Sequence, residues 1–171
     1  MADRYVLAVD QGTTSTRSLV FDRGGRMVAV RQREHHQYFP RPGWVEHDPM
    51  EIWANTQRTA AQVLGDVPDA GDVVALGIAN QRETTVVWDR ATGRPVTRAL
   101  VWQDTRTADL VTELAARPDA GLVAERSGMA IAGYFSGPRL RWILDHVPRA
   151  RERAERGELL FGTMETWLIW N

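Results

Sequence analysis

Residues 10–17, Asp10-Gln-Gly12-Thr13-Thr14-Ser15-Thr-Arg17, bring together an acid, a glycine, four consecutive hydroxyl residues and an arginine. Phosphate handling is the chemistry that such a set suits. Gly12 lets the backbone come close to an anion, while amide N–H groups and the hydroxyls of Thr13, Thr14 and Ser15 can point at its oxygens. Asp10 would hold Mg²⁺ directly or through its waters, and Arg17 supplies a cation. A Walker-type loop is excluded, because it needs a lysine and the sequence contains none. The competing reading is a polar turn whose hydroxyls cap their own backbone. A second polar cluster, Asn80-Gln-Arg82-Glu83, closes the nearly unbroken apolar run Val73–Ala79. Ligands of open α/β sheets gather at the carboxyl ends of strands, which makes Arg82 and Glu83 site candidates; the alternative is a surface ion pair of little energetic weight. His47 is a weaker candidate, with no second histidine or acid at metal spacing.

The elements that must position these residues follow from the hydrophobic pattern. Apolar runs at Val6–Val9 and Leu19–Phe21 flank the first cluster and predict a β-hairpin over residues 5–22. Alternation over Met27–Arg33, after a turn at Arg23-Gly-Gly25, predicts a third strand before any helix, an antiparallel meander. The prolines and aromatics of residues 38–47 predict a loop without regular structure. Asp48-Pro-Met-Glu51 is a helix start, with an acid at the N-cap, proline at the first helical position and glutamate three residues after the cap. Ile52, Trp53, Thr56, Ala60, Val63 and Leu64 recur at helical spacing and would form its buried face. The run Val73–Ala79 reads as a strand buried on both faces of a sheet.

Strand–helix alternation follows. Strands are expected at Thr84–Trp88 and Val96–Trp102, which places Trp102 at a strand end, level with Arg82. Gln103-Asp104 would open a helix carrying Leu110, Val111 and Leu114, and a shorter helix lies around Leu122–Arg126. Ser136 would cap a helix that turns Leu140, Ile143 and Leu144 inward, leaving Tyr134 on the loop before it. Arginine and glutamate mix at helical spacing over Arg149–Arg156, a solvated face and not a nucleic-acid patch. Leu159–Phe161 reads as a strand and Thr163 onward as the start of an apolar helix. A complete domain would not normally stop there, so the chain is expected to be the N-terminal piece of a longer protein.

Composition narrows the function classes. The 171 residues are 43% hydrophobic, enough for a core, and with a formal net charge of −1 nothing argues for nucleic acid or an anionic membrane surface as partner. There is no apolar run of membrane-spanning length and no signal-peptide pattern, so a cytoplasmic location without membrane insertion is expected. With no cysteine and no lysine, disulfides, thiolate catalysis, Cys-ligated zinc and Schiff-base chemistry are excluded.

Four stretches, Asp10-Gln-Gly-Thr-Thr-Ser15, Pro42–Trp53, Gly77–Thr85 and Arg151–Thr163, together resemble the FGGY carbohydrate kinases, and among them those acting on glycerol. The resemblance runs almost end to end. It implies an α/β domain of the ribonuclease H-like, actin-like ATPase type, a mixed sheet opening with three antiparallel strands and helices on its faces. Residues 1–171 would be the N-terminal kinase domain, and ATP and polyol would meet between it and a second domain that this chain lacks. Asp10 resembles the acid that organises Mg²⁺, and Gly12, Thr13, Thr14, Ser15 and Arg17 the loop at the nucleotide phosphates. Arg82 and Glu83 resemble the pair holding the glycerol hydroxyls, Tyr134 a third hydroxyl contact, and Trp102 the apolar wall along the carbons. The implied partners are glycerol and ATP/ADP, with a homo-oligomeric full-length protein; the catalytic base, an aspartate, would lie beyond this chain, leaving the fragment inactive. Glu165 departs from the aspartate usual in Gly-Thr-x-Asp-Thr-Trp, and Gly133 and Gly137-Pro138-Arg139 are not the commonest residues around Tyr134. Rival readings are a pentulose or gluconate kinase of the same family, an actin-like ATPase without a small-molecule acceptor, and a non-catalytic binding module.

Overall fold

Tyr5, Leu7, Val9 and Gln11 alternate on one face of the first strand and are all buried, the period of two that a half-buried strand requires. In this computed structural model, which describes residues 4–171, the elements in chain order are β1 (Tyr5–Gln11), β2 (Ser15–Asp22), β3 (Met27–Glu34), β4 (Gln37–Tyr38), β5 (Glu46–His47), α1 (Pro49–Leu64), a 3-10 turn at Ala70–Asp72 and β6 (Val73–Asn80). They continue with β7 (Val86–Asp89), β8 (Ala99–Leu100), α2 (Ala108–Ala115), α3 (Gly121–Ser127), α4 (Ser136–His146), α5 (Ala150–Glu155), β9 (Leu159–Gly162) and α6 (Met164–Trp170). The chain divides into two units. One comprises the chain up to Gln37 with Asp48–Gln81 and Met164–Asn171; the other comprises Tyr38–His47 and Arg82–Thr163.

The first unit holds a four-stranded sheet in the order β3-β2-β1-β6. The meander β1-β2-β3 is antiparallel, as expected, and β6 lies parallel to β1, so the sheet is mixed. Helix α1 covers the β2 and β3 side of one face and closes a core of Tyr5, Leu7, Val20, Ala29, Val63 and Val67. Its start is as the sequence indicates: the Asp48 carboxylate accepts the Met50 N–H at 2.8 Å and Pro49 is the first helical residue. Glu51 does not complete a capping box; its carboxylate accepts the His36 N–H at 3.1 and 3.2 Å. The buried face of α1 is more polar than its apolar spacing suggests, with Asn55, Thr56 and Thr59 inside and Trp53 only half-buried. In α6, the fully buried Trp167 donates its indole N–H to the Pro49 carbonyl at 3.0 Å. Strand β6 departs from expectation. It is an edge strand in this sheet, and Val74 and Leu76 are 58% and 57% exposed instead of buried on both faces.

The second unit is built on short strand pairs. β5 pairs with β8, and β7 with β9, all antiparallel, around Val87, Leu100 and Ile143. Residues 38–47 therefore do contain regular structure, because Glu46 and His47 find partners in Leu100 and Ala99. The strand expected over Val96–Trp102 shrinks to Ala99–Leu100, and the helix expected from Gln103 begins only at Ala108. Asp104 is used otherwise: wholly buried, it accepts the Val45 N–H at 2.6 Å and the Arg106 guanidinium at 2.8 and 2.9 Å. Helix α5 carries the expected solvated face of alternating charge.

In the first unit the Ser18 and Thr59 hydroxyls, both fully buried, hydrogen-bond at 2.8 Å and join β2 to α1. Thr59 also donates to the Asn55 carbonyl at 2.9 Å, which leaves Ser18 as the donor across the interface. Thr59→Val preserves volume but strands the Ser18 hydroxyl. A loss of about 1–3 kcal/mol in unfolding free energy is expected from urea titration, with the slope unchanged.

Candidate active site

The hairpin turn is built to hold its carbonyls back. Below it, in the first unit, lie two buried amides, Gln11 and Gln81. The Gln81 N–H donates to the Gln11 carbonyl at 2.8 Å and its side-chain amide to Gln11 Oε1 at 3.0 Å, while Gln11 Nε2 donates to the Gly12 carbonyl at 2.8 Å. His35 takes the next two oxygens, with Nε2 on the Thr13 carbonyl at 3.0 Å and its N–H on the Thr14 carbonyl at 3.3 Å. Since a carbonyl can only accept, His35 Nε2 carries the proton. Three consecutive carbonyl dipoles are thus tied down, which keeps their negative ends from opposing an incoming anion.

Gly12 donates its N–H to the Ser15 carbonyl at 2.9 Å. A Cβ at Gly12 would meet only that oxygen, at 3.4 Å. The turn itself therefore leaves room for a side chain at this position. Thr14 is exposed at the tip, Thr13 half-buried, and Ser15 buried with its hydroxyl accepting from Gln32 at 2.8 Å. Asp10 and Arg17 face each other across β1 and β2, with Arg17 Nη1 3.6 Å from Asp10 Oδ2 and Arg17 Nε on Gln32 at 3.2 Å. Half of the Asp10 side chain remains exposed. A lone accessible carboxylate suits Mg²⁺, which keeps several waters and takes the rest of its ligands from substrate phosphates; among the described residues no cluster of three acids or histidines forms a denser metal cage.

The second unit gathers the other candidates. Glu83 adopts a left-handed backbone, φ 66°, which is strained for a residue with a Cβ. Four contacts hold it there: its Oε2 accepts the Ser136 N–H at 2.8 Å and the Ser136 hydroxyl at 2.7 Å, and its carbonyl lies 3.2 Å from the same hydroxyl and accepts from Thr85 Oγ1 at 3.1 Å. Ser136 is thus the first residue of α4, bonded to Glu83, and not the cap of its own helix as the sequence suggested. Both bonds fall on Oε2, so Oε1 is left to accept from a ligand. Arg82 is exposed and engages no acceptor among the described residues. The half-buried Trp102 and the exposed Tyr134 meet edge to face, centroids 6.0 Å apart, and Tyr134 packs on Phe135 in the same manner at 5.4 Å. Beneath them Arg139, fully buried, is pushed down to about 10 by loss of hydration, with Asp104 and Glu83 opposing that effect. A cavity of about 490 Å³ behind this loop, lined by Leu114, Val123, Met129, Ile131, Phe135 and Pro138 among others, is too apolar to satisfy a polyol.

Sequence reasoning missed the supports: Gln11, Gln32, His35, Ser136 and Arg139. One signal was available, since a glutamine continuing the buried positions Tyr5, Leu7 and Val9 is a polar group that needs a partner. The rest are set by tertiary contacts that no spacing reveals.

A family model, that of the N-terminal domain of the FGGY family of carbohydrate kinases, matches residues 5–171. The chain belongs to this family. It is 59% identical over 169 residues to a glycerol kinase of Nocardia farcinica, covering 98% of this chain and 34% of that protein. The crystal structure of Plasmodium falciparum glycerol kinase with ADP is similar at a TM-score of 0.89 and 34% identity, over 99% of this chain and 34% of that one. A gluconate kinase from Lactobacillus acidophilus shares the fold at a TM-score of 0.87 with 18% identity. This FGGY chain thus spans 34% of the length of the curated relatives it matches. The actin-like α/β fold expected from the sequence is shown by these likenesses. The Asn80 side chain, at the end of β6, donates to the Glu165 carboxylate on α6.

Burial under the hairpin turn holds the His35 imidazole below its ordinary 6.5, with the Thr13 carbonyl and Glu51 opposing. The unfolded chain therefore binds a proton more readily than the folded one, and stability is complete above about 6.5 and declines as pH falls through and below it. Chemical denaturation between pH 7.5 and 5.5 should show that decline, and His35→Gln should flatten it; parallel profiles for the two proteins would contradict the assignment.

Proposed function

We propose that this chain is the N-terminal part of a phosphotransferase that moves the γ-phosphoryl of MgATP to the primary hydroxyl of glycerol, giving sn-glycerol 3-phosphate. The observation that carries the reading is the pair Arg82 and Glu83, a guanidinium with no acceptor among the described residues beside a carboxylate whose Oε1 accepts from none of them. Every hydroxyl of a triol both donates and accepts, so adjacent donor and acceptor side chains satisfy two hydroxyls at once. Tyr134 offers a further hydroxyl, and the Trp102 ring a surface for the carbons. A site built this way rejects analogues lacking the hydroxyls, because its own polar groups would be left unpaired. The names of the relatives, glycerol kinases at 52–59% identity, support the same choice over a pentulose or gluconate.

At the hairpin, Thr13, Thr14, Ser15 and Arg17 would receive the nucleotide phosphates and Asp10 would hold Mg²⁺, which when bound neutralises charge on the phosphate oxygens. The part of the chain's own residues is alignment and charge stabilisation: the hairpin orients the phosphates, and Arg82 and Glu83 orient the acceptor hydroxyl. No described side chain stands out as base for the hydroxyl proton. That base, an aspartate in the family, is assigned to the second kinase domain, along with the adenosine pocket. On the same reading the protein works in the cytoplasm, and the two-domain enzyme forms a homo-oligomer.

Two outcomes test the proposal. The 171-residue chain with MgATP and glycerol should form no glycerol 3-phosphate, whereas protein with both kinase domains should phosphorylate glycerol in preference to xylulose or gluconate. Preference for a larger sugar would refute the triol argument, and ATP hydrolysis without a phosphorylated acceptor would refute kinase activity altogether. In the two-domain protein Glu83→Gln keeps the shape of the side chain and should lower kcat/KM for glycerol about ten- to hundredfold, the ~1.5–3 kcal/mol of a charge-assisted hydrogen bond.

A further inference from the structure

Arg139 is the most deeply buried arginine of the second unit, 0% exposed, and its guanidinium forms no ion pair among the described residues. Its acceptors are backbone carbonyls instead. Nη1 donates to the Tyr134 carbonyl at 2.5 Å and to the Phe135 carbonyl at 3.2 Å, and Nη2 donates to the Trp102 carbonyl at 2.6 Å. Nε is buried without an acceptor. Burying a full charge to reach neutral acceptors, with one donor left over, is a poor way to gain stability. It is an effective way to fix distances, because the planar fork holds its two ends at a set separation.

The residues tied are those whose rings meet over the candidate polyol site. Trp102 and Tyr134 lie on segments far apart in sequence, and their edge-to-face contact alone would leave the separation of the two backbones adjustable. The same first turn of α4 supplies Ser136, which fixes the Glu83 carboxylate. We propose that Arg139 is the positioning residue of the substrate pocket, a buried fork that sets the distance between the Trp102 and Tyr134 walls and so the size of polyol the pocket accepts. The inference rests on the reading of these two residues as polyol contacts.

The experiment uses the whole 171-residue chain, ¹⁵N-labelled, with glycerol titrated against the Trp102 indole resonance and amide exchange followed at Trp102 and at Tyr134–Ser136. Arg139→Met removes the fork; exchange at those amides should rise and glycerol affinity should fall, each about tenfold or more, with β1–β2 amides unchanged. Arg139→Lys keeps the buried charge on a single ammonium, which cannot span both backbones; it should melt with the parent yet bind glycerol about three- to tenfold more weakly. A role in stability alone would lower the melting temperature of both variants and leave the affinity of the folded protein intact, which would overturn the proposal. If Arg139→Met does not fold, Arg139→Lys decides. Should the parent show no response to glycerol, the polyol reading fails for this chain, and parental exchange at Trp102 and Tyr134 in Arg139→Lys would independently overturn the tether.

Discussion

The parallel pairing of β1 with β6 is the constraint on which the first unit depends. Parallel strands end on the same side, so the turn after β1 and Gln81 after β6 emerge together. Register then sets Gln11 opposite Asn80, with Gln81 next in the chain, and the two glutamine amides close on each other. A slip of one residue would turn Gln11 out of the core and Asp10 into it. The hairpin turn inherits its shape from a sheet register, and only secondarily from its own glycine and hydroxyls.

A different kind of support is added in the second unit, where ionic groups and aromatic rings pack together beside its apolar core. Arg106 lies over the Trp44 ring at 3.8 Å and the Trp142 ring at 4.7 Å, and donates to Asp104 and Glu46. Cation–π contacts gain strength when desolvated, and the carboxylates satisfy the donors that the rings cannot. Buried charge of this kind stabilises weakly against an apolar alternative but is costly to disturb, which favours one arrangement over many.

These two modes explain what could be read in advance. The hairpin, the meander, the α1 start and the strand before α6 are local patterns of alternation, capping and turn chemistry, and they are legible because adjacent residues determine them. The Asp10–Arg17 loop and the Arg82-Glu83 pair were visible as polar groups at strand ends. Asp104 was misread as a helix start and Ser136 as the cap of α4 for one reason: each has a side chain that would cap a helix, and each is bonded instead to a partner from a distant segment, although α4 does begin at Ser136. The apolar run of β6 signalled burial on both faces, whereas its place at the sheet edge leaves Val74 and Leu76 in solvent. Hydrophobicity reports what a strand can bury, and neighbours decide what it does bury.

The left-handed backbone at Glu83 also restricts how this position can evolve. Glycine relaxes that conformation but carries no carboxylate, while asparagine and aspartate tolerate it with a side chain one carbon too short to make the same reach. Any single replacement that eases the backbone removes the acceptor. Substitutions that ordinarily accumulate because they stabilise a fold are here the ones that would break the bonds between the Glu83 carboxylate and Ser136. If Glu83 holds the acceptor as proposed, drift toward a new substrate would be easier at the Trp102 and Tyr134 ring positions, leaving residue 83 as a fixed point among varying neighbours.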